Sequence, residues 1–335
     1  MVSPTKKYFL YRLKNGVPAL LVGVAVSLLV TQTTIGGELP MSMGIRPYYF
    51  TLVGVGIALY AAAVIFTVIE LLPFQIRREG DLMLPLASAG KLFICRYGTA
   101  LFQSFCTLAV TFGYVFLRLK IDGGYSFAFF LPTVGAFAVW MFVISALTAL
   151  GFLVAKGLFD ALLLAVLWQF IGALPAALGA RLSLSELNTC AFLPAAVLKT
   201  ARYCTGKILR DHREYPFVSD RMIYHTANGL LPSLILYAAL AVCALVFLYF
   251  FLNRYRADRI GGRSDGPLAY PFLVPYTALS LVVINEPYYA IPGGLWLIAG
   301  FVIMRRGFRW KPVDLVVLSL TAGISLFTYL LHILR

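Results

Sequence analysis

The chain alternates between long apolar runs and short polar, mostly basic segments over nearly its whole length. Each run holds about 17–25 mainly apolar residues, the length of helix that crosses a hydrocarbon core of about 30 Å. Because backbone groups in lipid must bond within their own segment, such runs predict helices. The predicted spans are Val17–Ile35, Tyr48–Leu72, Tyr97–Leu117, Phe127–Val154, Gly157–Leu178, Leu230–Leu252, Leu268–Ile284, Tyr288–Met304 and Val313–Leu334.

Composition supports this fold class. With 61% hydrophobic residues, 13% charged residues and a mean hydropathy of +0.86, the chain is too apolar for a soluble globular domain. Its net charge of +14 is divided among short segments, a distribution that fits membrane orientation and attraction to anionic lipid headgroups. A nucleic-acid surface needs a contiguous basic face, so we expect no nucleic-acid partner. The prediction is an all-α polytopic membrane protein.

The basic residues also predict an orientation. Short loops carry most weight in the positive-inside rule, and their Lys and Arg residues lie mainly on one side of the membrane. That side holds the N-terminus, so we expect the N-terminus in the cytoplasm and the chain in the plasma (inner) membrane. The basic residues on the predicted cytoplasmic side are Lys6, Lys7, Arg12, Lys14, Arg77, Arg78, Lys91, Arg96, Lys156, Arg254, Arg256, Arg259, Arg263, Arg305, Arg306, Arg309 and Lys311.

Residues 181–229 form the one sizeable segment predicted outside the membrane. We expect it to be an extracellular loop with short helices at the outer interface. It contains Cys190 and Cys204, for which two states stay open. They form a disulfide if the compartment is oxidising, or they remain two free thiols, which is the simpler interpretation.

The sequence holds no recognisable catalytic, metal-binding or cofactor-binding pattern. A phosphate loop needs Gly-x-x-x-x-Gly-Lys-Ser/Thr, whereas Gly90-Lys91 is followed by Leu92. The three histidines form no metal-ligand spacing. We therefore expect no catalytic residue, no metal site and no cofactor in this chain. Among the few polar residues within spans, Gln103 and Gln169 are predicted to form hydrogen bonds between helices.

The segment between spans two and three is longer than a connection between two helices requires. It contains, in order, Leu84-Pro85, Ser88, Lys91-Leu92 and Arg96-Tyr97. A basic, partly apolar stretch, Lys6–Lys14, precedes span one, and is predicted to lie along the inner interface. In this order and spacing the chain resembles the type-2 ABC transporter permeases, the exporter-like membrane subunits with six core helices.

In that family the run "leucine-proline, serine, basic, leucine, basic-tyrosine" forms the coupling helix that docks on the ATPase. Ala89 stands here where the family usually has an arginine after the serine. The exit of span six is similar to the "arginine-x-glutamate-x-alanine-glycine" tail of a bacterial subgroup often linked to antibiotic-response operons. Arg256 and Gly261 match this tail, Asp258 takes the acid position, and Ile260 replaces the alanine.

The resemblance implies a permease domain over residues 1–265, with a coupling segment at 73–96, and additional C-terminal helices over 266–335, a hairpin plus a final helix. It implies export driven by a separate cytoplasmic ABC ATPase subunit, and a second permease subunit in a homo- or heterodimer. The residues that it implies in ATPase coupling are Arg77, Arg78, Glu79, Asp81, Leu84, Pro85, Ser88, Lys91, Leu92 and, at a minor contact in the loop Ala155–Gly157, Lys156.

Two other classes remain as alternatives. One is a membrane subunit that anchors or senses without transporting. The other is a membrane-embedded enzyme that modifies lipids, which would place acids, histidines or metal ligands at one membrane face. The transported substrate is not readable from the sequence.

Overall fold

The computed structural model describes residues 4–35, 52–76, 88–123, 127–175, 192–211, 230–252, 264, 266, 268–284, 287–308 and 310–333. These residues are almost entirely helical and include no β-strand. The helices are α1 (Pro4–Asn15), α2 (Val17–Ile35), α3 (Val53–Leu71), α4 (Ala89–Gly123), α5 (Phe127–Val154), α6 (Leu158–Trp168), α7 (Leu193–Asp211), α8 (Leu230–Leu252), α9 (Tyr270–Ile284), α10 (Pro287–Arg305) and α11 (Pro312–Ile333).

Within the described ranges, five stretches are long and apolar enough to cross a bilayer. A sixth is added if α1 and α2, which meet at a bend of 46°, count as one span. The chain is thus a multi-pass membrane protein whose described residues are helical, as predicted. The five stretches, which overlap predicted spans two to six, are Val53–Gln75, Ala89–Arg118, Phe130–Val154, Leu158–Pro175 and Ser233–Leu252.

Helix α5 forms the centre of the bundle. It contacts α3, α4, α6, α7 and α8, and it is the most buried of these spans. Its sequence is apolar on every face, as expected for a helix surrounded by others. Gly151 lets α6 come close, because a Cβ at this position would lie 2.5 Å from the backbone oxygen of Leu164. Small residues at such crossings allow close helix approach in membranes.

Both predicted bonds between helices are present. Gln103 Nε2 donates to the backbone oxygen of Gly16, 3.1 Å away, at the junction of α1 and α2. Gln169 Nε2, at the end of α6, donates to Thr148 Oγ1 on α5, 3.1 Å away. These bonds confirm that the two glutamines link neighbouring segments of the bundle.

Consecutive helices run up and down, so one end of the bundle collects several helix termini. There α3 and α5 end and α4 and α6 begin. Hydrogen bonds from Gln75, just after α3, to the backbone oxygens of Phe152 and Ala155 fix this arrangement. We call this end the Glu70 end, after the buried carboxylate near the end of α3.

Helix α7 differs from the expectation for residues 181–229. It is one helix of 19 residues, and its buried face packs against α3 and α5 of the bundle. Trp140 Nε1 donates to Thr200 Oγ1 at 2.8 Å, and the Leu52 backbone N–H donates to Thr205 Oγ1 at 3.0 Å. The reason is a helical stripe of small or apolar buried residues: Leu193, Ala196, Val197, Thr200, Ala201 and Cys204. The question of a Cys190–Cys204 disulfide stays open, since Cys190 lies outside the described residues.

The last three helices are not among the five stretches that are long and apolar enough to cross a bilayer. Helix α9 has 15 residues and packs against α10, and both contact α11. Trp296 Nε1 on α10 donates to Thr277 Oγ1 on α9, 2.7 Å away. Arg305 and Asp314 pair at 2.8 Å across the turn between α10 and α11. The predicted hairpin plus final helix therefore corresponds to three helices that contact one another.

Candidate functional site at the Glu70 end

A buried carboxylate lies at the centre of the Glu70 end. The side chain of Glu70 is only 2% exposed, and Arg12 of α1 holds it through a forked ion pair. Arg12 Nη2 lies 2.9 Å from Oε2 and 3.0 Å from Oε1, and Arg12 Nε lies 3.3 Å from Oε2. Two-pronged contacts of this kind are among the stronger hydrogen bonds in proteins, and they fix orientation as well.

A second arginine joins α4 to the same group. Arg96 Nη1 donates to the backbone oxygen of Glu70 at 2.9 Å and lies 4.0 Å from its Oε2. Arg96 Nε donates to the hydroxyl of Tyr8 at 3.0 Å. The arrangement ties α1, α3 and α4 together at one point. We call Tyr8, Arg12, Glu70 and Arg96 the Glu70 cluster.

The helix that carries Arg96 is unusually long. Helix α4 has 35 residues, which corresponds to about 52 Å at 1.5 Å per residue. Predicted span three begins at Tyr97, but α4 begins eight residues earlier, at Ala89. The last eight residues of the predicted coupling segment, Ala89–Arg96, are therefore the first two turns of the membrane helix. They are continuous with that helix.

The structure describes four of the ten predicted coupling residues. Ser88 and Lys91 are exposed at the start of α4. Leu92 is buried in the core, so it packs the bundle and offers no accessible side chain for docking in this conformation. Lys156 is half-buried in the connection between α5 and α6. The six that lie outside the described residues are Arg77, Arg78, Glu79, Asp81, Leu84 and Pro85.

A second polar network lies around this α5–α6 connection. The Lys156 backbone N–H donates to Ser264 Oγ at 3.0 Å. Ser264 Oγ in turn donates to Asp160 Oδ2 at 2.7 Å, and the Tyr270 hydroxyl donates to Asp160 Oδ1 at 2.9 Å. Asp160 sits in the first turn of α6, where the helix dipole also favours a negative charge. The network anchors the chain that leads from α8 to α9 onto the start of α6.

Glu70 and Asp160 lie near span ends, where water or a snorkelling side chain can satisfy a charge. Both are instead bound by groups far away in the sequence. Arg12 is 58 residues from Glu70, and Tyr270 is 110 residues from Asp160. The available signal was topological: Arg12, Glu70 and Arg96 all fall near the same predicted membrane face. Opposite charges at one depth are candidates for pairing.

The chemistry of these two networks is ionic and structural. Across the described ranges, no three His, Cys, Asp or Glu residues are placed to hold a metal ion. The acids are occupied by arginine, serine and tyrosine partners. Such an arrangement holds helix ends in fixed relation, and a force applied at one helix end would reach the others.

Comparisons with known proteins add no relative: no family model, curated protein or solved structure matches this chain.

Proposed function

We propose that this chain is the permease subunit of an ATP-binding cassette exporter of the type-2 class. Residues 1–265 would form the permease domain, with a core of six membrane helices. A separate cytoplasmic ATPase would supply ATP hydrolysis, and a second permease subunit, identical or different, would complete the pathway. The Glu70 end would face the cytoplasm of a cell whose plasma membrane the chain spans. This chain itself would bind no nucleotide.

The observation that carries the proposal is the continuity of α4. The described end of the predicted coupling segment, Ala89–Arg96, is part of a helix longer than the hydrocarbon core. A partner that pushed on the segment ending at Ser88 would therefore act directly on a rigid rod that crosses the membrane. An anchor subunit has no need of such a continuous element.

The Glu70 cluster supports the same mechanism. Displacing the start of α4 would move Arg96, which is bonded to the end of α3, and through Glu70 it would act on α1. Motion would thus spread to three helices about two turns from the point of contact. Packed, hydrogen-bonded elements transmit displacement in this way because they do not deform continuously.

The minor contact at Ala155–Gly157 is supported by the second network. Asp160, Ser264 and the Lys156 backbone link this short connection to the chain that follows α8. A partner touching Lys156 would therefore act on α5, α6 and the approach to α9 together. The family-like tail at Arg256–Gly261 lies in that linking chain by sequence, outside the described residues.

The test is recruitment of the ATPase. The tagged chain is purified from membranes of its own cell, and co-purifying proteins with a Gly-x-x-x-x-Gly-Lys-Ser/Thr loop are quantified by mass spectrometry. Lys91→Glu is expected to reduce the recovered ATPase about tenfold, equivalent to about 1.4 kcal/mol of lost attraction. Leu92→Asp is unsuitable because Leu92 is buried.

The matched control is Lys120→Glu, which makes the same charge reversal at the other end of the same helix. Lys120 is also exposed, so a general effect of charge on expression or folding would appear in both variants. Recovery of no ATPase with the unaltered chain, or equal recovery with both variants, would contradict the proposal. Those results would favour an anchor, a sensor or a lipid-modifying enzyme.

A further inference from the structure

Three chain segments meet about halfway across the membrane, beside Gln169. Helix α6 ends at Trp168, and the chain turns over residues 169–172. The backbone N–H of Leu193, the first residue of α7, donates to the backbone oxygen of Gln169 at 3.0 Å. Gln169 is 11 residues beyond Leu158, or about 16 Å along the helix, roughly half of a 30 Å core.

The third segment is the polar part of α5. Thr148 accepts the bond from Gln169 Nε2, and Ser145 lies one turn further along the same helix. Ser145 is nine residues from the end of α5, about 14 Å by the same measure. The residues Ser145, Thr148 and Gln169, which we call the Gln169 junction, therefore lie at similar depth.

Two polar atoms of the junction are unsatisfied. Gln169 Oε1 and Ser145 Oγ have no hydrogen-bond partner among the described residues, although both side chains are buried, at 3% and 0% exposure. A buried polar atom without a partner costs about 1–3 kcal/mol. Each such atom calls for an explanation, and a polar ligand at the site is one.

The backbone carbonyls at this break between helices, in contrast, have hydrogen-bond partners. The Gln169 carbonyl accepts the hydrogen bond from the Leu193 N–H, and the Ile171 carbonyl accepts one from the Tyr276 hydroxyl of α9. Irregular backbone at membrane depth is tolerated where it is buried in protein or lines a polar path. Here the carbonyls at Gln169 and Ile171 have hydrogen-bond partners, whereas Gln169 Oε1 and Ser145 Oγ have none among the described residues.

We propose that the Gln169 junction is a contact site for the molecule that this protein moves, and that it recognises a neutral hydrogen-bonding group, a hydroxyl or an amide. This inference rests on the proposed transport function. Gln169 Oε1 would accept a hydrogen bond from that group, and Ser145 Oγ would donate or accept a second one. The site lies where broken helices of transporters commonly bind their cargo.

The neutral character follows from the surrounding charges. Helix α5 contains no charged residue, and the charge of α6 is Asp160, near the Glu70 end and already bonded to Ser264 and Tyr270. A cation at the junction would lack a carboxylate, and the first lysine of α7, Lys199, is six residues or about 9 Å along the helix beyond Leu193. A hydroxyl or amide needs neither.

The experiment asks whether water-soluble molecules reach Ser145. In a chain with its five cysteines replaced, Ser145→Cys is treated with aminoethyl methanethiosulfonate in native membranes, with and without Mg-ATP. The reagent reacts with thiolates, which form in a polar site and not in a packed apolar core. We expect loss of the free thiol, seen as a mass shift of the intact protein.

The matched control is Ile144→Cys, the neighbouring buried position on the same helix. It is expected to keep its thiol under the same conditions. An unreactive Ser145→Cys in both conditions, or equal reaction at both positions, would overturn the inference.

A stability measurement provides a second readout. If Ser145 Oγ awaits a ligand, Ser145→Ala removes an unsatisfied group and leaves the melting temperature unchanged or higher. A lowered melting temperature would mean that the hydroxyl holds the fold together, and this too would overturn the inference. The proposed function fails separately: a reactive Ser145→Cys without a co-purifying ATPase keeps the site but removes the ATP-driven mechanism. Conversely, a recruited ATPase together with an unreactive Ser145→Cys would keep the ATP-driven mechanism and remove the proposed contact site.

Discussion

Arg12 and Glu70 form a forked ion pair that joins the first helix of the chain to the end of the third, 58 residues away. Glu70 is buried, whereas Arg12 retains some access to solvent. Because Arg96 binds the backbone at the same point, the pair fixes where three helix ends lie relative to one another.

The first prediction concerns the carboxylate itself. Glu70→Ala leaves two arginines without their counter-charge and should destabilise the protein by about 3 kcal/mol. Arg12 is partly exposed, so its share of this cost is the smaller one. Unfolding in mixed micelles with increasing dodecyl sulfate measures the change. Lys14→Ala, an exposed position at the end of the same helix α1, should leave the midpoint unchanged. Equal midpoints for the two variants would refute a stabilising role for the cluster.

The second prediction concerns the crossing of α5 and α6. In Gly151→Ala the new methyl group would lie 2.5 Å from the Leu164 backbone oxygen, so the two helix backbones must separate. We expect a loss of about 1–3 kcal/mol, although alanine is the better helix former. Gly135→Ala, on the same helix with no atom within 4 Å of its Cβ, should be neutral or slightly stabilising. If both variants unfold alike in the same micelle titration, the close approach does not matter for stability.

The third prediction concerns orientation. Ser88 and Lys120 lie at opposite ends of α4, so single cysteines there must face opposite sides of the membrane. In a cysteine-free chain, an impermeant maleimide added to intact cells should label Lys120→Cys. It should label Ser88→Cys only after the cells are opened. Labelling of Ser88→Cys from outside would reverse the proposed topology and remove the basis for ATPase docking.

The fourth prediction concerns Asp160. Asp160→Ala removes the acceptor for Ser264 and Tyr270 and should free the chain between α8 and α9. We expect this chain to lose about 2 kcal/mol of local stability. In detergent solution, trypsin should therefore cleave it at its arginines at least about tenfold faster. Asp160→Asn, which keeps an acceptor and the same size, should show a smaller increase. Unchanged cleavage in Asp160→Ala would mean that this chain is held by other contacts.

The apolar runs were enough to locate most of the membrane helices, because a bilayer imposes one length and one secondary structure on them. Predicted spans one, four and six match helices α2, α5 and α8 residue for residue. The start of α4 was missed for a physical reason. Ala89–Arg96 carries polar groups that suggested a surface segment, while its apolar side packs into the bundle through Leu92 and Phe93.

Helix α7 was misplaced for a related reason. Its mean hydropathy is too low for a span, and its polar residues suggested an interface. The spacing of Leu193, Ala196, Val197, Thr200 and Ala201 already indicated one buried face. The partners of that face, Trp140 and Leu52, come from distant parts of the chain. Periodicity alone shows that a face is buried but not what covers it.

Helix α4 also has a consequence for the lipid around the protein. Lys91 and Lys120, both exposed on this helix, are separated by about 44 Å along its axis. A bilayer measures about 40–45 Å when its headgroup layers are included. The two ammonium groups therefore match the phosphate layers of both leaflets when the helix stands upright. In a thinner membrane this rod must tilt, and its tilt would carry the Glu70 cluster with it.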